Sequence, residues 1–241
     1  MIAIVAGVPE ELAVLRRRLA APRDVATSAG KAKAGTLGGR PVVLAIAGDG
    51  ASRAERSLDA LLSAVPCSGV LGIGVAGGLS EDLSVGSLVV ASSVVSSEGI
   101  ELLPEPACVA AAARHGARPA RVVCAAGLAG TAIDKARLRD RAGDGPAVVD
   151  LESATWAESA ARRGLPWSIL RVVSDAWDED LPGFLLRAQR PDGSVARGRV
   201  AFGAIAVPTR IPTLVRLATR VHRASTRLAD GAAAIMSEAA A

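Results

Sequence analysis

The sequence predicts an α/β fold, a buried mixed or parallel sheet covered by helices on both faces, and three observations point to it. Apolar strand-like runs recur from Ile2 to Val173. They are continuous rather than alternating, so the sheet is covered on both sides. Helix-like segments lie between many of them, which is the order of an α/β domain. At 241 residues the chain fits one domain with a full core.

The first strand is expected over residues 2–6, followed by a helix over 10–19 that starts after Pro9 with Glu10 and Glu11 in its first turn. A strand at 42–47 and a helix at 51–64 come next. The strand at 70–75 runs into the glycine-dense Gly72-Ile73-Gly74-Val75-Ala76-Gly77-Gly78, read equally as a ligand loop or a tight strand exit. A strand at 87–95, a helix at 106–114, a strand at 121–126 and a helix at 135–141 continue the order. Strands at 147–151 and 169–173, joined by a helix at 153–163, are expected as parallel neighbours in one βαβ unit. From about Leu181 the character changes: Arg190-Pro191-Asp192-Gly193 signals a turn, and 211–229 is an Arg-rich helix. The expected division is a main domain over 1–205 and a C-terminal helical segment over 206–241 packed on it.

Half of the residues are hydrophobic, yet only 2% are aromatic and Tyr is absent, so the core is built from Ala, Val, Leu and Ile. Lys occurs only at positions 31, 33 and 135. The net charge of +4 is mild and lacks the basic-plus-aromatic clustering of a nucleic-acid binder, so no nucleic-acid partner is expected. Cys67, Cys108 and Cys124 are scattered and odd in number, which fits a reduced cytoplasmic protein without structural zinc. With only His115 and His222, neither a His-centred triad nor a multi-His metal site is expected. The N-terminus reads as a strand rather than a signal peptide, and no apolar run nears the ~18 residues that span a bilayer.

Chemistry concentrates where apolar runs end in acids. Val148-Val149-Asp150-Leu151-Glu152 sends Asp150 and Glu152 to one face of a strand and Leu151 to the other. Arg171-Val172-Val173-Ser174-Asp175 ends in a second acid. The carboxyl ends of strands form the ligand crevice in such sheets. Each residue also has a plainer reading. Ser174-Asp175 can start a turn or cap a helix, Glu152 can favour the dipole of the helix after it, and Glu11 can be an ordinary first-turn acid.

Taken in order, Gly7 with Pro9-Glu10-Glu11, Gly74-Val75-Ala76-Gly77-Gly78, Val85-Gly86-Ser87-Leu88-Val89-Val90, Val149-Asp150-Leu151-Glu152 and Arg171-x-x-Ser174-Asp175 resemble the nucleoside phosphorylase and nucleosidase superfamily. The nearest branch is that of the methylthioadenosine/S-adenosylhomocysteine nucleosidases, and the resemblance covers residues 2 to about 180. Asp180-Leu181-Pro182, Arg190-Pro191-Asp192-Gly193 and the Arg-rich tail are similar to the hopanoid-associated subgroup, thought to release adenine from adenosylhopane. The resemblance implies a three-layer α/β/α sandwich with a central mixed sheet, a homodimer, no cofactor, and cleavage of an N-glycosidic bond in an adenosine derivative.

Residue by residue it implies that Asp175 protonates the purine N7 with Ser174 beside it. Glu11 activates water, and Glu152 grips the ribose hydroxyls, as a carboxylate accepting two hydrogen bonds can. Leu151 packs under the ribose beside Asp150, and Val75, Ala76 and Gly77 line the site. This chain has Val75 where the nucleosidases carry Ser, and Asp150 where they carry Glu. It lacks the Arg that phosphorylases place before the glycine segment to hold phosphate, so hydrolysis is favoured over phosphorolysis. Ile133 covers the purine by apolar contact. The alternatives are a methylthioadenosine/S-adenosylhomocysteine nucleosidase, a purine nucleoside phosphorylase, or a non-catalytic nucleoside-binding protein on the same fold.

Trp156 and Trp167 read as core or interface residues, while Trp177 lies near the crevice mouth and can line a channel for an apolar substrate tail. Arg216, Arg220, Arg223 and Arg227 share one helix face. That stripe is either a solvated face of a packed helix or a basic face resting on anionic lipid at the inner membrane surface.

Overall fold

The computed structural model describes residues 1–48, 50–186 and 211–238. The first strand, β1 (Ile2–Ala6), lies parallel to both β4 (Arg40–Ile46) and β5 (Gly69–Gly78). Helix α1 (Pro9–Arg18) follows β1, and the hairpin β2 (Ala20–Thr27) and β3 (Gly30–Leu37) extends the sheet antiparallel beside β4. That hairpin is absent from the sequence expectation. Its segments are not apolar runs: in β3 only Ala32, Ala34 and Leu37 turn inward, while Lys31 is exposed.

After α2 (Ala51–Ala64) and β5, the chain forms β6 (Leu88–Val95), the short β7 (Glu101–Leu102), α3 (Pro106–Arg114) and β8 (Arg118–Cys124). It continues as α4 (Ala132–Ala142), β9 (Ala147–Asp150), α5 (Ser153–Arg162), β10 (Trp167–Asp175), the single turn α6 (Gly183–Leu186) and the long α7 (Ile211–Glu238). The helix expected over 211–229 therefore continues to Glu238. The turn at 190–193 and the boundary at 205/206 lie outside the described residues.

Two expectations are corrected. Strands β9 and β10 are not parallel neighbours, because β5 lies between them, parallel to β10 and antiparallel to β9. Nor does the glycine segment form a loop: β5 runs on through it to Gly78. The reason is one residue, Gly77, which pairs with Val149 on one side and Asp175 on the other. A Cβ there would stand 3.1 Å from both Val149 Cγ1 and Asp175 Oδ2, so glycine gives the three strands close approach without displacing either side chain. Since β10 pairs with β6, β6 with β8 and β8 with β9, these strands and β5 close into a ring, from which β1, β4, β3 and β2 extend.

The sheet is mixed and layered as expected. One face packs Ala54, Leu58 and Leu61 of α2 with Ala154, Trp156 and Ala157 of α5. The other packs Leu12 and Leu15 of α1 with Ala112 of α3 and Leu228, Ala232 and Ile235 of α7. Trp156 and Trp167 are buried, and Trp177 is 40% exposed. No helix among the described residues is long and apolar enough to cross a membrane.

Candidate active site

Four consecutive residues of β5 gather the site. At Gly74 a Cβ would fall 2.1 Å from Arg171 Nη1 and 2.9 Å from Glu11 Oε1, so the glycine makes room for both charged groups. The Val75 N–H donates to Glu11 Oε1 at 2.9 Å. The Ala76 carbonyl accepts the Ser174 hydroxyl at 3.2 Å. Gly77 abuts Asp175 Oδ2. The parallel register of β10 beside β5 thus brings Glu11 and Asp175, remote in sequence, within a few residues of backbone.

Glu11 is 5% exposed, and its Oε2 also accepts the Val8 N–H at 3.2 Å. Its role as a first-turn acid is therefore only part of its environment, because its carboxylate reaches across to β5. The Val75 side chain packs toward the apolar layer beneath α1 and α7. Its backbone, not its side chain, serves the site.

Glu152 caps the N-terminus of α5 by position, but its side chain makes no capping bond. Instead Oε1 accepts the Gly50 N–H at 3.1 Å, and a Cβ on Gly7 would lie 3.8 Å from both Glu152 Cδ and Glu11 Oε2. Burial, and then the charge of Asp150, push the Glu152 carboxyl up to about 8, against the opposing pull of Arg171 and the Gly50 N–H. The fold thus favours the protonated form of a group expected as a carboxylate.

Asp150 is committed elsewhere. It is ion-paired with Arg171 and accepts from Ser153 and from the thiol of Cys124 at 3.0 Å. Arg171 also donates to Ser153 Oγ at 2.8 Å and lies over the Trp156 ring, 5.0 Å from its centroid. Burial opposes its charge, but Asp150, Glu152 and Glu11 outweigh that and hold its pKa above the ordinary value. Arg171 stood in the motif without a role. Its signal was available, since a charged residue inside an apolar strand run must carry a buried partner.

Asp175 is 5% exposed, and the surprise is its partner. Oδ2 meets Lys135 Nζ at 2.6 Å, while Oδ1 accepts the Ser174 hydroxyl. Lys135 is buried too and donates to the carbonyls of Ala176 and of Glu179, the latter at 2.8 Å. Sequence reasoning missed Lys135, because α4 and β10 meet only in three dimensions.

Two clefts flank these groups. A crevice of about 310 Å³ is lined by Gly50, Ser96, Cys124, Leu151, Thr155 and Glu158, so it adjoins Glu152 through Gly50. A wider one of about 530 Å³ includes Leu79, Asp82, Lys135, Arg139 and Trp177, adjoining Asp175 through Lys135. Ile133 is 65% exposed in the first turn of α4 and lines neither of these two clefts. No group of three or more His, Cys, Asp or Glu among the described residues could hold a metal ion.

A sequence profile described as the phosphorylase superfamily matches residues 1–190. The chain belongs to that superfamily. Among phosphorylase-superfamily relatives, a futalosine hydrolase from Streptomyces coelicolor is 35% identical over 144 residues, covering 52% of this chain and 61% of that protein. A 5′-methylthioadenosine/S-adenosylhomocysteine nucleosidase from Geobacillus thermodenitrificans is 28% identical over 200 residues, covering 74% of this chain and 85% of that protein. In fold, the chain is similar to the Neisseria meningitidis 5′-methylthioadenosine/S-adenosylhomocysteine nucleosidase bound to methylthio-immucillin-A. The TM-score is 0.76 with 19% identity, over 98% of each chain. The futalosine hydrolase of Helicobacter pylori gives a TM-score of 0.76 with 16% identity, again over 98% of each.

Proposed function

We propose that this phosphorylase-superfamily chain hydrolyses the N-glycosidic bond of a 5′-substituted adenosine, releasing adenine. The observation that carries the reading is the convergence of Glu11, Glu152 and Asp175 around residues 74–77 of β5. Asp175 delivers a proton to the purine N7, Glu11 takes one from the attacking water, and Glu152 holds the ribose hydroxyls over Leu151. As the sugar gains oxocarbenium character, an ionised Glu152 beside it becomes more favourable. Ala76, Gly77 and Ser174 shape the base side, with Ile133 and Trp177 toward the mouth.

Hydrolysis is preferred to phosphorolysis because phosphate calls for an available Arg. Arg171, the guanidinium nearest Glu11 among the contacts above, is sealed by Asp150 and Ser153. A non-catalytic binding protein would have no use for a buried base and acid brought together from α1 and β10 against one strand.

The 5′ group is read as the hopane of adenosylhopane, ahead of methylthioadenosine. Support comes from the tail resemblance, the half-exposed Trp177, and the exposed Arg216, Arg223 and Arg227 on α7, which fit peripheral contact with anionic lipid on the cytoplasmic face. Exposed Ile100 and Leu103 fit a homodimer, checked by light scattering. The deciding experiment compares adenine release from adenosylhopane and methylthioadenosine, and base release from futalosine, with and without liposomes. Efficient cleavage of either small nucleoside, with no lipid response and none of adenosylhopane, reverses the ranking.

A further inference from the structure

We propose that Lys135 is the source of the proton that Asp175 delivers to the leaving base, an inference that rests on the nucleosidase reading above. Both Asp175 oxygens are engaged: Oδ2 takes Lys135 and Oδ1 takes the Ser174 hydroxyl. Lys135 Nζ has three acceptors, Asp175 Oδ2 and the carbonyls of Ala176 and Glu179, which matches the three donors of an ammonium. That geometry sets an N–H of Lys135 directly on Asp175 Oδ2, the oxygen of the group assigned to the leaving base.

A buried pair of this kind has two forms of equal net charge, ammonium with carboxylate or amine with carboxylic acid, and exclusion of water favours the neutral one. A purine seated against Asp175 removes the remaining access of water. The proton then moves from Lys135 Nζ to Asp175, and from Asp175 to N7 as the bond between the sugar carbon and N9 breaks. That bond's electrons go to the purine, water adds to the sugar carbon, and Glu11 takes the proton water loses. Lys135 is left as an amine, and regains its proton as Glu11 gives one up to solvent on product release. The sum is nucleoside plus water to free base plus ribose.

The alternative role for Lys135 is a staple. It ties α4 to the 176–180 segment, a junction also held by Ala132 N–H on Asp180 Oδ1 and Leu181 N–H on the Gly130 carbonyl. A staple and a proton source differ in what they do to leaving groups. A nitrophenyl riboside leaves without protonation, whereas adenine requires it.

Lys135→Met and Lys135→Arg test the difference, with methylthioadenosine and p-nitrophenyl riboside as probes. Arginine keeps the charge and the ion pair but does not release a proton. Both variants are expected to lose about 100-fold or more on the nucleoside, and far less on the nitrophenyl riboside, with Asp175→Asn showing the same split. Equal loss on both probes, or recovery of nucleoside cleavage by arginine, overturns the proposal in favour of the staple. Where wild type releases adenine only from adenosylhopane, that nucleoside replaces methylthioadenosine as the probe; wild-type protein that releases adenine from neither sinks the nucleosidase reading itself, a separate outcome.

Discussion

Arg171 and Asp150 form an ion pair whose side chains are each 2% exposed, directly behind the residues assigned to chemistry. Removing the cation leaves a buried carboxylate without compensation. Arg171→Met is expected to cost about 3–5 kcal/mol in urea denaturation. Adding Asp150→Asn should recover part of that loss, because the second change removes the orphaned charge.

Glu11→Gln separates catalysis from binding. The amide keeps the shape of the side chain but cannot take a proton from water. Turnover is expected to fall about 10²–10⁴-fold, while calorimetry still detects an adenosine analogue. Unchanged turnover would remove Glu11 from the mechanism.

The Glu152 carboxyl gives a pH signature. Its value is near 4.5 when unperturbed and about 8 in the fold, so between those values the folded protein holds a proton that the unfolded chain has released. Its contribution to stability therefore falls as pH rises through that window and is level on either side. Glu152→Gln removes the penalty. The variant should melt at least about 3 °C above wild type near pH 9, with the gap closing toward pH 4, by thermal denaturation.

Much of this was legible in the sequence. The runs at Ile2–Ala6 and Val70–Val75 marked central strands because only a strand covered on both faces is apolar throughout. The β2–β3 hairpin was not legible, since β2 carries Pro, Arg and Asp and β3 opens on alternating Lys and Ala, leaving little apolar signal. Glu152 and Asp175 drew notice as acids at the ends of apolar runs, whereas Glu11 reads locally as a first-turn acid and became a candidate only through the family resemblance. Lys135 could not be named, since its meeting with Asp175 follows from how α4, packed on β8 and β9, sends one side chain to the end of β10. Arg220 shows the same limit. Helical spacing put it on the basic face with Arg216, Arg223 and Arg227, yet it binds Glu179 Oε1 at 2.7 Å and the Ser174 carbonyl at 3.3 Å, so only its three companions stay exposed.

Reversing those three companions tests the lipid contact. Arg216→Glu, Arg223→Glu and Arg227→Glu together should abolish binding to anionic vesicles in a flotation assay. At about 1 kcal/mol per basic residue near a charged surface, the loss is at least 100-fold. Cleavage of a water-soluble nucleoside should be unaffected.

The central claim is hydrolytic release of a purine with Asp175 acting at the leaving base. Its most direct measurement follows adenine and reducing sugar from adenosylhopane and methylthioadenosine in phosphate-free buffer, for wild type and Asp175→Asn. The account predicts equal yields of adenine and free ribosyl product without phosphate, and a loss of at least about 100-fold in the folded variant. Product that forms only when phosphate is added and appears as the ribose-1-phosphate, or near-normal turnover by Asp175→Asn, would contradict it.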